Sequence, residues 1–511
     1  MNYYIITIHT LAVLLISFTA TSASPSNIKT GNLTKQWTFD EIPTSTNLIL
    51  YPCFSRYHCF MLDVPLDYSK PNGTRASVPL IMIAAHSNSN DGPYQGMILT
   101  NPGGPGNSGV NFLLEDGYSV LLPVMGTNYD IVSFDPRGMG HSNPLADCSS
   151  SSPTKLHRRN FGLSGPEFDS SYWTKEFQTA LDFGAQCNET IGGSDQAGHH
   201  MSTAVVAKDM LSIVDAFAKT ERGQSVESSS LLNYWGFSYG SFIGETFASM
   251  YPNRVGRFVI DGVVDPEDYS SGVELNDIYL EDAIIDSFFT YCHLAGPSLC
   301  DFYTVYTPIT SFATLATRLV AYETSLQKLT VAAIEAASNI GNTPSNIAGT
   351  IPELLEWFPA AFCGEIPSIY GTTHEELKSH IDMIKKQSFL GGEIWATSLV
   401  VCTGWPIIAT LKFSGAFGGD TKNPVLLVSN TLDPATPIKN RKTWAPKFKD
   451  ARLLTIEAIG HTSLAANNSC ANHKIRHFLQ TGNLPGHDSR CVVEAGPFRV
   501  TPLSFVVGAD W

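Results

Sequence analysis

Short apolar runs, most of them ending in a turn of Gly, Pro or Asp, constrain this chain more than any other feature. The candidate strands are Val78–Ala84, Met97–Thr100, Tyr129–Asp135, Leu232–Phe237, Arg257–Asp261, Pro424–Ser429 and Arg452–Glu457. Helical patterns separate them, and that alternation predicts an α/β fold: a mostly parallel central sheet flanked by helices. In open sheets of this kind ligands bind beyond the carboxyl ends of the strands, so chemistry is expected in those turns.

The alternation stops after Asp265-Pro266. From there to about residue 400 the pattern is helical, with Val273–Cys292, Ser311–Gln327 and a segment opening on a capping box, Thr373 with Glu376. Strand signals resume at Pro424. The expected organisation is a leader over residues 1–23, core over 24–268, a helical cap over 269–400 inserted after the sixth strand, and core again over 401–511.

The leader reads as a signal peptide: Tyr3 to Phe18 is largely apolar, and Ala20-Thr21-Ser22-Ala23 offers small residues for cleavage. The usual positive n-region is missing, because no Lys or Arg precedes Lys29, and a membrane anchor is the alternative; the run is short for a spanning helix, so a secreted protein with no membrane span is expected. Ten cysteines suit an oxidising compartment. Local spacing suggests Cys53–Cys59, Cys148–Cys187, Cys292–Cys300, Cys363–Cys402 and Cys470–Cys491, although spacing alone leaves other pairings open. A zinc site is the competing use, but no CxxC pair or Cys/His cluster at ligand spacing occurs. Glycosylation acceptors occur at Asn32, Asn72, Asn188 and Asn467. With 32 basic against 47 acidic side chains the formal charge is −15, which argues against a nucleic-acid partner.

The chemistry-bearing residues follow strands. Gly236-Phe237-Ser238-Tyr239-Gly240 lies between the run Leu232–Trp235 and a helical pattern, Ser241–Met250. It is the G-x-S-x-G elbow, a turn so tight that it exposes a serine Oγ. A nucleophilic serine needs a base and an acid, both expected after it in the chain. Asp433 follows Pro424–Ser429 and His461 follows Arg452–Glu457, which fits acid and base. Asp265, or Asp261, is the rival acid. Asn101-Pro102-Gly103-Gly104-Pro105-Gly106 follows another strand, and its glycines let backbone amides approach a ligand oxygen. With no phosphate-binding lysine after it, it reads as an oxyanion hole made by the amides of Gly104 (or Gly103) and Tyr239.

These segments, with Asp135-Pro136-Arg137-Gly138-Met139-Gly140-His141-Ser142, Asp261-Gly262-Val263-Val264-Asp265-Pro266, Thr431-Leu432-Asp433-Pro434-Ala435-Thr436-Pro437, Gly460-His461-Thr462 and the pair Cys470 and Cys491, resemble the prolyl iminopeptidase and tripeptidyl aminopeptidase branch of the α/β-hydrolases. The resemblance runs from about Cys53 to the C-terminus and thins within the cap. Asn101 stands where prolyl iminopeptidases usually carry His, which is more like the secreted tripeptidyl aminopeptidases. The resemblance implies a serine hydrolase that releases residues or short peptides from free N-termini. It also matches Glu365, in Cys363-Gly364-Glu365, to an acidic position near the pocket, where a carboxylate could hold the substrate ammonium; an ordinary surface glutamate is the alternative. Asp135 and Arg137 read as a structural turn, and Trp357 and Trp405 as core or pocket lining. The competing functions are a secreted esterase, lactonase or amide hydrolase acting on a small metabolite, and a catalytically silent binding relative. The expected partner is a peptide or small-molecule substrate, and no cofactor is implied.

Overall fold

The computed structural model describes residues 35–502 apart from 87, 149–169, 273–275, 301–356, 389–390 and 467. The leader, the helix expected at Ser311–Gln327 and the acceptors Asn32 and Asn467 lie outside the described residues, whereas Asn72 and Asn188 are exposed.

The strands are β1 (Tyr51–Cys53), β2 (Tyr57–Pro65), β3 (Arg75–Ile83), β4 (Met97–Asn101), β5 (Asp130–Phe134), β6 (Leu232–Phe237), β7 (Val255–Asp261), β8 (Val425–Leu432), β9 (Arg452–Ile459) and β10 (Ser489–Val492). They form one sheet in the order β1-β2-β3-β5-β4-β6-β7-β8-β9-β10. The pairs from β5 through β4 and on to β10 are parallel, and β1, β2 and β3 add an antiparallel end. The seven sequence-read strands all appear. The additions are β1, β2 and β10, so the strand before the long insertion is the seventh along this chain.

The parallel strands are apolar on both faces because helices cover both. On β6, Leu232 and Tyr234 pack into one core with Val206, Met210 and Ile213 of helix 203–218 and Phe242 and Phe247 of helix 239–250. Trp235 and Phe237 pack into the other with Val110, Leu113, Ile475 and Phe478. The helices that matter to the site are α1 (Gly109–Asp116), α2 (Ser170–Ile191), α3 (Thr203–Ala218), α4 (Tyr239–Met250), α5 (Pro266–Ser271), α6 (Glu281–Ala295), α7 (His374–Lys385), α8 (Gly391–Thr403), α9 (Ile438–Trp444) and α10 (Ser469–Thr481).

Between β7 and β8 the described residues are mainly helical, including a stretch at 357–365. The helix expected over Val273–Cys292 begins only at Glu281. Ahead of it Asn276 is held by α5 instead: its amide donates to Asp268 Oδ2 and its side chain to Asp265 Oδ2. The capping box at Thr373 and Glu376 is formed. Leu377, Ile381 and Ile384 of α7 share a small core with Leu399 and Val400 of α8, and with Trp173 and Phe177 of α2. That helix comes from between β5 and β6, so the insertion is braced by a segment the sequence pattern does not assign to it. Trp357 and Trp405 are buried in the main core.

The disulfides join Cys53 to Cys59, Cys148 to Cys187, Cys292 to Cys300, Cys363 to Cys402 and Cys470 to Cys491, the pairs that local spacing suggests. Among the described residues no helix is long and apolar enough to cross a membrane.

Asp135 and Arg137 act within the fold. Asp135 accepts hydrogen bonds from Ser108 Oγ (2.6 Å), Val110 N (3.0 Å) and His141 N (2.9 Å), which pins the start of α1, just past the glycine loop. Arg137 is buried, with Nε 2.7 Å from Asp209 Oδ2 and a second nitrogen on Asp209 Oδ1, and it also donates to the carbonyls of Pro65 and Leu66. Removing one partner leaves a buried charge alone, which costs about 3–5 kcal/mol. Asp209→Ala is therefore expected to lower unfolding free energy by about that much in urea titrations, while the folded fraction keeps its substrate kinetics. A loss below about 1 kcal/mol would contradict the structural role.

Candidate active site

Ser238 sits between the end of β6 and the first turn of α4, with φ 57° and ψ −127°. This is a strained backbone for a residue with a side chain. It is held by two hydrogen bonds: Ser238 N–H donates to Asp261 O at 2.9 Å, and Ser238 O accepts from Ser241 N at 2.7 Å. Gly240 is required because a β-carbon there would lie 2.5 Å from Asn101 O. The elbow thus presses directly against the glycine loop that follows β4.

That loop is closer still at Gly103. Its φ is +95°, and a β-carbon would lie 2.4 Å from Phe237 O and 2.9 Å from both Ser238 Cβ and Tyr239 N. Gly103 N–H donates to Asn101 Oδ1 at 2.9 Å, an internal bond that uses up this amide. The amide of Gly104 is the next along the loop, which favours Gly104 over Gly103 as the donor beside Tyr239 N. Asn101, buried at the end of β4, is what shapes the loop.

Asp433 comes one residue after β8 and is fully buried. Its Oδ1 accepts from His461 Nδ1 at 2.8 Å, Thr436 N at 2.8 Å and Ala435 N at 3.0 Å, and Oδ2 accepts from Thr462 N at 2.9 Å. Burial alone would raise the carboxyl, but His461 and the amides of Thr462 and Thr436 outweigh it and hold Asp433 below the usual carboxylate range. Burial likewise pulls on the imidazole, and here the charge and hydrogen bond of Asp433, with a smaller push from Asp261, raise His461 above its ordinary value. The Asp433 bond fixes the proton on Nδ1 and leaves Nε2 as the basic nitrogen. The His461 side chain is 31% exposed, so its ring can be reached. Asn430 Nδ2 braces the turn by donating to the carbonyls of Gly460 (2.7 Å) and Thr462 (2.6 Å).

The rival acids are occupied elsewhere. Asp265 caps α5, accepting from Glu267 N and Asp268 N, and also takes Trp444 Nε1 at 3.1 Å and Asn276 Nδ2 at 2.9 Å. Asp261 accepts from Ser463 and Trp235.

Glu365 is not a surface residue. It ends the stretch 357–365, is 8% exposed, and its Oε2 accepts from Thr203 N (3.1 Å) and Thr203 Oγ1 (2.6 Å) at the N-terminus of α3. Thr203 Oγ1 is in turn 2.7 Å from the hydroxyl of Tyr239, the residue after Ser238. Both Thr203 hydrogen bonds to Glu365 fall on Oε2. Burial pushes Glu365 up to about 7, opposed by the two Thr203 bonds and by the nearby Lys412. Thr203 is the member of this chain that sequence reasoning misses; its only local signal is a Ser-Thr pair opening a helix. Among the described residues no three His, Cys, Asp or Glu side chains come together as metal ligands.

Residues 96–281 match the family model described as the alpha/beta hydrolase fold, and residues 387–491 match the one described as TAP-like protein. The chain is 25% identical to a tripeptidyl aminopeptidase of Streptomyces lividans over 487 residues, covering 86% of this chain and 84% of the relative. It is 26% identical to a serine protease of Mycobacterium tuberculosis over 484 residues, covering 85% and 87%. A carboxylesterase B of the same organism is 24% identical over 473 residues, covering 85% and 86%.

The acid assignment can be checked directly. Asp433→Asn is expected to slow hydrolysis by about 10⁴-fold with the fold intact. Asp265→Asn is expected to weaken the α5 terminus and lower the melting temperature, with little change in rate. An active Asp433→Asn beside an inactive Asp265→Asn would reverse the assignment.

Proposed function

For a chain that is an α/β hydrolase with a TAP-like C-terminal part, we propose a serine aminopeptidase that releases residues or short peptides from free N-termini through an acyl-enzyme. Ser238 Oγ attacks the scissile carbonyl while His461 Nε2 takes its proton, and Asp433 stabilises the imidazolium that forms. The amides of Gly104 and Tyr239 receive the developing oxyanion. His461 then protonates the leaving amine, and water, activated by the same nitrogen, hydrolyses the ester on Ser238. The disulfides and the expected leader support secretion into an oxidising compartment.

The observation that carries the aminopeptidase reading is Glu365. A carboxylate that is only 8% exposed, with both Thr203 bonds on one oxygen, is costly to keep charged, and a cation on the other oxygen would offset that cost. A peptide's α-ammonium has the charge and the hydrogen bonds to do so. The path Glu365–Thr203–Tyr239 ties this receptor to the residue that supplies an oxyanion amide. A small-molecule esterase remains the second reading, favoured by the carboxylesterase among the relatives.

Glu365→Gln is expected to lower kcat/KM for free-amine peptides by at least roughly tenfold and to change hydrolysis of a small uncharged ester little. Acetylating the substrate amine should harm the wild type and barely matter to the variant. If the wild type cuts acetylated peptides as well as free ones, the esterase reading takes the lead.

The pH dependence follows from the sign of the Glu365 shift. Below about 7 the carboxyl is neutral and cannot pair with an ammonium. The ratio of kcat/KM for free over acetylated substrate, in which the titration of His461 cancels, should therefore fall as pH drops through about 7. It should fall again above about 8 as the substrate amine loses its proton. A ratio flat from pH 5 to pH 9 (about the range these groups span) would exclude Glu365 as the receptor.

A further inference from the structure

We propose that Asp261 is a positioning residue, holding the nucleophile elbow and the turn that carries His461 in fixed relation to each other. This rests on the reading of Ser238 and His461 as nucleophile and base. Asp261 ends β7, the strand between β6, which leads to Ser238, and β8, which leads to Asp433. Its backbone oxygen accepts Ser238 N–H at 2.9 Å. Its side chain reaches in the other direction: Oδ1 accepts Ser463 N–H at 2.8 Å, and Oδ2 accepts Ser463 Oγ–H at 2.5 Å. Oδ2 also takes Trp235 Nε1–H at 3.1 Å, from the strand beneath the elbow. One residue therefore bonds to the nucleophile itself, to its strand three residues earlier, and to the base's turn two residues later. The next residue lies close against that turn: a β-carbon at Gly262 would meet Thr462 Cγ2 at 2.7 Å and Thr436 Oγ1 at 3.0 Å, with His461 Cε1 at 3.5 Å.

Ser463 N–H and Trp235 Nε1–H can only donate, one to each carboxyl oxygen, and as an anion Asp261 also accepts the Ser463 hydroxyl proton. Burial pushes Asp261 up to about 6, Ser463 and Trp235 pull it back, and Asp433 adds to the rise. The ionisable groups facing it are Asp433 and His461, with Asp277 beyond Asp433. The anion in turn helps to raise His461. Asp261 thus acts twice on the base: through the turn's position and through its charge.

The test is the pH dependence of fluorophosphonate labelling at Ser238, located by mass spectrometry, which needs no knowledge of the substrate. Asp261→Asn keeps the size of the side chain but removes its charge and turns an N–H₂ towards a donor. It should slow labelling by roughly tenfold. Its acid limb should also move to lower pH, by about half a unit, because His461 loses a neighbouring negative charge. Ser463→Ala keeps the charge and removes one bond, so labelling should slow several-fold with the limb unmoved. A purely structural Asp261 would reduce the folded fraction and leave the limb in place, and that result overturns the proposal. Should Asp261→Asn not fold, Ser463→Ala labelling as fast as the wild type overturns it. A wild type unlabelled at Ser238 overturns the nucleophile reading, and this proposal with it. A labelled wild type beside an unmoved Asp261→Asn limb overturns this proposal alone.

Discussion

The backbone of Ser238 is the constraint on which the rest depends. A side-chain-bearing residue at φ 57° costs on the order of 1–3 kcal/mol and persists only when its surroundings over-determine it. Here the surroundings are specific. The Ser238 amide is fixed by Asp261 O and its carbonyl by the first turn of α4, while the glycine loop after β4 closes to van der Waals contact. That contact is possible only because Gly103 and Gly240 lack β-carbons. The same close approach brings Gly103 against Phe237, Ser238 and Tyr239, so the strained elbow and the glycine loop form one arrangement. Asp433 supplies the matching rigidity on the other side: its four acceptor contacts immobilise the His461 ring as well as the acid.

What was legible in the sequence is what is encoded locally. The elbow is five consecutive residues, and Asp433 and His461 each follow a strand whose apolar run is easy to see. The choice between Asp433 and Asp265 is not local, since both follow strands. The residues after Asp265, Pro266 and Glu267, do carry the signature of a helix start, and Asp265 is indeed the cap of α5. The strands without a clear sequence pattern lack it for different reasons. β1 and β10 are too short to show a pattern, and Cys59-Phe60-Met61-Leu62 on β2 is buried on both faces and does not alternate. Thr203 and Ser463 could not be found at all. Their partners lie 162 and 202 residues away, and a single hydroxyl has no pattern.

The residues of the candidate site come from different parts of the chain. Ser238, Asp433 and His461 follow β6, β8 and β9, whereas Glu365 arrives from the insertion between β7 and β8 and meets the core at Thr203. Cys363–Cys402 fastens the stretch that ends in Glu365 to α8. Lys412, just beyond, donates to Ile366 O at 2.8 Å, so the segment is held on both sides of the carboxylate. A group at the end of an insertion would otherwise be the least precise member of the site. These ties make its position nearly as well determined as that of the strand-borne residues.

The two ends of the sheet carry a further consequence. A ten-stranded sheet is a large template, and an open edge invites another chain to add a strand. Here the outermost strands are three residues, β1, and four residues, β10. Each contains a cysteine bridged within the chain: Cys53 is tied back to its own hairpin neighbour and Cys491 to α10. Neither edge offers enough free ladder for a stable intermolecular pairing, and the bridges keep both from fraying into longer ones. Protection against strand addition is thus built into the two places where its sheet stops.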